Sequence, residues 1–197
     1  MTIKLFGVKV EISFFFTALI ALLLFFDKTG LMCVGLLSAV IHETGHLTAM
    51  LMLGAKPEKM RFCAYGVLIN KNVNMKSRFA QMLVFSGGCI FNVAFAVVSA
   101  LLWKNGAEGF IYFCAANIIT ALFSALPIKG LDGYDMLTLI LSIKLPLNRA
   151  EKTASIIGAV FCFVPVAVFV SALLCGVLNI NLMITSLYLI ILFVCGL

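Results

Sequence analysis

LMCVGLLSAVIHETGHLTAMLML, residues 31–53, is an apolar run with two histidines and a glutamate set into its middle. As an α-helix, 23 residues rise about 34 Å, enough for a bilayer core of about 30 Å. The spacing in His42-Glu43-Thr44-Gly45-His46 puts both imidazoles on one helical face. There they can hold zinc together, with the adjacent glutamate as general base. They are the only histidines of the chain. Ionisable side chains in mid-membrane are costly and mark a functional site, so the run predicts a metalloprotease that cuts within the membrane. The bland reading is a pair of packing histidines between helices, which leaves Glu43 in hydrocarbon without a purpose.

Outward from this run, the composition sets the class. Hydrophobic residues make up 63% of the 197 and charged residues 11%, and the mean hydropathy is +1.18. A soluble domain is about half apolar and a quarter charged. The expectation is an all-α polytopic membrane protein, one integral domain over residues 1–197.

Lysine and arginine number 14 against 8 acids, a net charge of +6. They gather in the first eleven residues, between Lys56 and Arg78, and between Lys144 and Lys152. That is the bias of membrane loops, which set orientation, and it excludes nucleic acid as the partner. The seven cysteines have no paired spacing and predict no disulfide framework. Lys4 and Lys9 precede an apolar run with no small-residue cleavage site, so a retained first helix is expected rather than a signal peptide.

Six transmembrane helices are expected, over 12–26, 31–53, 79–103, from Phe110 to Leu126, 154–177 with a kink at Pro165, and 181–197. Residues 1–11 alternate around Gly7 as a short hairpin or interfacial segment. Gly54 and Pro57 end the second span. Residues 55–78 contain a short β-like, membrane-associated segment around 61–70, either a cytoplasmic hairpin or a stretch dipping into the bilayer beside the site. Pro127-Ile128-Lys129-Gly130-Leu131-Asp132-Gly133 interrupts the fourth span. With both termini cytoplasmic, twelve basic residues fall inside and only Lys28 and Lys104 outside.

A catalytic zinc takes three protein ligands and keeps a fourth position for water. His42 and His46 supply two. The candidates for the third are Asp132 and Asp135, at the broken end of the fourth span, with Asp135 alternatively a partner for a histidine N–H. Glycines 130 and 133 let the backbone around Asp132 deviate. On the third span, Ser86-Gly87-Gly88-Cys89-Ile90-Phe91-Asn92 reads either as close helix packing or, for Asn92, as part of the site. An extended substrate segment adding as a strand to residues 61–70 is one route to an unwound peptide.

HETGH on the second span, Gly88-x-x-x-Asn92 on the third, and Leu126-Pro127 with Leu131-Asp132-Gly133 at the fourth occur in order. With the six spans, this pattern resembles the site-2 protease family of intramembrane zinc metalloproteases, in its compact stage IV sporulation protein FB branch. The resemblance implies zinc on His42, His46 and Asp132, Glu43 as the base, and Gly88, Asn92 and position 124 at the substrate. It also implies a bacterial cytoplasmic membrane and a membrane-tethered substrate such as a sporulation sigma-factor precursor, with a membrane-protein inhibitor or activator as a further partner. Two departures stand out. Serine occupies position 124 where the family pattern has asparagine, with Asn117 two turns earlier on the same face, and no nucleotide-sensing CBS domain is expected after the sixth span. The alternatives are a catalytically silent scaffold or chaperone of the same fold, which Ser124 favours and the intact His-Glu-His disfavours, and a zinc or proton transporter, which the lack of an internal repeat disfavours. Nothing in the sequence sets an oligomeric state.

Overall fold

The computed structural model describes residues 2–5, 8–55, 59–63, 66–69, 77–176 and 179–195. Gly7, Pro57 and the cations Lys56, Lys71 and Lys76, to which the sequence assigns a turn, a helix stop and the cytoplasmic side, lie outside these residues. The backbone forms two compact units, residues 1–123 and 124–197.

The first unit opens with strands β1 (Thr2–Leu5) and β2 (Val8–Ile12), antiparallel with Leu5 opposite Val8. Strand β3 (Lys59–Cys63) lies parallel to β2, with Lys9 opposite Lys59, and β4 (Gly66–Ile69) runs antiparallel to β3 at the edge of the sheet. Among the described residues the structure is nearly all helical, with these four strands forming one small sheet. Its β2–β3 pairing joins segments far apart in the chain, which local periodicity does not report.

Helices α1 (Phe14–Phe26), α2 (Leu31–Met52), α3 (Arg78–Lys104) and α4 (Phe110–Ser124) follow the apolar runs. Their ends are set by identifiable chemistry. The Asp27 carboxylate accepts hydrogen bonds from the backbone N–H groups of Thr29, Gly30 and Met32 at 3.0, 2.9 and 2.8 Å, filling donors that α2 leaves open at its start. After α2, Gly54 takes φ +68°, Gly54 N–H donates to the Leu51 carbonyl and Ala55 N–H to that of Met50. This is a Schellman ending, and the left-handed residue favours glycine.

Helices α2 and α3 approach until backbone meets backbone. A Cβ on Gly87 would lie 2.8 Å from the Gly45 carbonyl oxygen, and one on Gly45 would collide with the Gly87 carbonyl. Small residues permit such contact between membrane helices. The outer faces are apolar: Ile90, Val93, Val97 and Leu101 of α3 are exposed while Asn92 and Ser99 are buried. That is the reverse of a soluble helix.

In the second unit, α5 (Asp132–Leu141), α6 (Leu147–Leu174) and α7 (Ile180–Cys195) follow the break at Pro127. The fifth expected span, 154–177, is corrected to a helix beginning at Leu147. Exposed Arg149, Glu151 and Lys152 belong to its first two turns, because these are good helix formers following an N-cap proline. Ala150, Ala154, Gly158 and Cys162, one turn apart in succession, form its buried stripe, and α6 continues through Pro165. Cys162 Sγ lies 3.7 Å from the Leu189 carbonyl oxygen on α7. Among the described residues, two helices, α3 and α6, are long and apolar enough to cross a membrane.

Candidate metal centre

Both histidines of α2 are buried, His42 at 6% and His46 at 1% exposure. One turn apart, their rings stand nearly perpendicular (81°) with centroids 4.8 Å apart. Their Nε2 atoms lie 3.2 Å from each other. The Nδ1 of His46 is 2.7 Å from the backbone carbonyl oxygen of Val84 on α3. A carbonyl only accepts, so the His46 proton sits on Nδ1 and its Nε2 presents a lone pair towards His42. A donor on the far ring nitrogen is how proteins orient a metal-ligating histidine.

Gly88 of α3 lies directly against this pair. A Cβ there would fall 2.6 Å from both Nε2 atoms and 2.5 Å from His42 Cε1. Absence of a side chain at 88 keeps open the space that the two nitrogens share. Two buried imidazole nitrogens with a cradle that a single methyl would fill suit a zinc ion. Glu43, next to His42 on α2, is half-buried.

Asn92 follows Gly88 by one turn and is fully buried. Its Nδ2 donates to Ser38 Oγ at 3.4 Å and to the Asn117 carbonyl at 3.5 Å, while Ser38 Oγ donates to Thr120 Oγ1 at 2.9 Å. The structure places Asn92 in a polar seam joining α2, α3 and α4. Asn117, on the same seam, donates its Nδ2 to the Phe113 carbonyl of its own helix at 2.8 Å.

In the second unit, Asp132 opens α5 and is buried at 8% exposure, whereas Asp135 one turn on is exposed. The start of a helix favours a carboxylate through its dipole. Ser124, also 8% exposed, donates its hydroxyl to Asp132 Oδ2 at 2.7 Å. Gly133 is required by packing: a Cβ there would strike the carbonyl of Ala125, with that of Leu126 at 2.5 Å.

Sequence reasoning missed the Val84 carbonyl, since a backbone acceptor carries no side-chain signature. It also missed Ser38 and Thr120, whose signal is a hydroxyl one turn before His42 and a second one turn after Asn117.

No protein-family model matches the chain, and a search of curated proteins finds no significant match. Among solved structures the chain is similar to the Site-2 Protease from Methanocaldococcus jannaschii, with 21% identity and a TM-score of 0.69, over 96% of this chain and 92% of that one. The two share a fold.

Proposed function

We propose that this chain is an intramembrane zinc metalloendopeptidase of site-2 protease type, acting on a peptide bond in or near the transmembrane segment of a membrane-tethered regulator. The observation that carries the reading is the buried His42–His46 pair, its Nε2 atoms 3.2 Å apart over the bare Cα of Gly88, inside an apolar helix. A fold similar to a site-2 protease over almost the whole chain supports it, and in this reading residues 1–197 act as one catalytic domain.

Asp132 is the third ligand in this reading. Its burial and its place at the start of α5 support it over the exposed Asp135. Bound zinc would lower the pKa of water and polarise the scissile carbonyl. Glu43 takes the attacking water's proton and delivers it to the leaving amine. His46, held by Val84, keeps its lone pair aimed at the shared space. Burial in an apolar helix bundle limits water at the site and strengthens these charge effects.

The reading includes six spans, α1 to α4 with α6 and α7, and both termini on the cytoplasmic side of a bacterial membrane, supported by the basic-residue bias. Strand β4, at the sheet edge, is where an extended substrate segment would add, and a sporulation sigma-factor precursor is the candidate substrate. A membrane-protein inhibitor or activator is a further candidate partner. The test is cleavage of a membrane-tethered reporter by the purified protein in proteoliposomes. Cleavage that stops on chelation and returns with zinc supports the proposal; cleavage that persists in metal-depleted protein refutes it.

A further inference from the structure

A hydroxyl on a helix usually satisfies itself on the carbonyl one turn back. Thr48, Ser99, Thr120 and Thr153 do so here, at 2.6–2.9 Å. Ser124, the last residue of α4, instead reaches forward eight residues to Asp132 Oδ2 at 2.7 Å. In this bond the Ser124 hydroxyl donates its proton and the Asp132 carboxyl oxygen accepts it. Both side chains are 92% buried, where a charge-assisted bond is strong and rotation of the carboxylate is restrained.

The backbone holds the pair together independently. Gly133 packs against the Ala125 and Leu126 carbonyls so closely that no Cβ fits, which seats the start of α5 on the segment that follows Ser124. Gly158 of α6 sits behind the same break, where a Cβ would be 2.5 Å from the Pro127 carbonyl oxygen.

We propose that Ser124 is a positioning residue for the metal: its hydroxyl orients the Asp132 carboxylate as a zinc ligand and does not contact substrate. This rests on the reading of Asp132 as the third ligand. Ser124 acts only through Asp132, so its removal weakens zinc binding by about the 10- to 100-fold typical of a partner behind a metal ligand.

The experiment is zinc affinity by chelator competition on full-length protein in detergent, with Tm recorded for each variant. Ser124→Ala is expected to bind zinc about tenfold more weakly at least, Ser124→Thr to bind like the parent, and Ser124→Cys, close in size but a poor donor, to resemble Ser124→Ala. Within an Asp132→Ala background, Ser124→Ala is expected to change nothing further. Parent-like affinity in Ser124→Ala, or the same loss with and without Asp132, overturns the proposal. A parent protein that binds no zinc overturns instead the metalloprotease reading beneath it. Should Ser124→Ala fail to fold, the contrast of Thr with Cys decides: equal affinities overturn the proposal, and a tenfold gap supports it.

Discussion

His46 of α2 donates its Nδ1 proton to the Val84 carbonyl of α3 at 2.7 Å, so one bond both ties the helices and sets the face His46 shows to His42. Replacing His46 by alanine removes a nitrogen ligand and that tie together. His46→Ala is expected to hold less than a tenth of the parent's zinc and to lose about 1 kcal/mol of stability, the usual worth of one hydrogen bond. Metal analysis and thermal unfolding in detergent check both.

Gly88→Ala puts a methyl 2.6 Å from each Nε2. The imidazoles must part, so zinc binding and proteolysis are expected to fall by about 100-fold, the upper range for disturbing a ligand's support. Gly87→Ala, one residue away, presses on the Gly45 backbone instead. Overpacking there is expected to cost about 1–3 kcal/mol in stability, with zinc retained by the protein that remains folded. Zinc titration of the two variants side by side distinguishes a site effect from a packing effect.

Asn92→Leu leaves Ser38 and the Asn117 carbonyl without the amide that now bridges them. Hydrogen bonds between membrane helices are worth about 0.6 kcal/mol on average, so two should give about 1 kcal/mol of lost stability. An unchanged KM with a lowered Tm is the expected pattern for a seam residue. A raised KM at parent Tm would move Asn92 to the substrate.

The turn before α2 carries a pH dependence. Burial opposes ionisation of Asp27, but hydrogen bonds from Thr29, Met32 and Gly30 prevail and hold its carboxyl below the ordinary 3.8. A depressed folded-state value stabilises the fold fully above the unfolded value and is lost as pH falls through the folded one. Asp27→Asn is therefore expected to lower Tm at neutral pH, the gap to the parent closing only below pH 3.8. Thermal melts of both proteins across acid pH check the sign.

Much of the site was legible because it was written in side chains. His42, Glu43 and His46 break an apolar run at helical spacing, and glycines flank Asp132. Asp132 against Asp135 stayed open in the sequence and was weighted by burial, which spacing does not encode. The Val84 acceptor was illegible because every residue has a carbonyl. Pairing of Lys9 with Lys59 in a parallel register was equally hidden, since neither local alternation specifies its distant partner. Ser124 read as a substrate contact from the family pattern, and its bond to Asp132 appears only once the chain turns at Pro127.

Glu43 is proposed as the base of a zinc-dependent proteolysis. Cleavage of a membrane-tethered precursor should be compared between the parent and Glu43→Gln, with bound zinc measured in both. Equal zinc is expected in the two proteins, with cleavage reduced by about 10²–10⁴-fold in the variant, the range for a lost general base. Equal cleavage by the two proteins would contradict it.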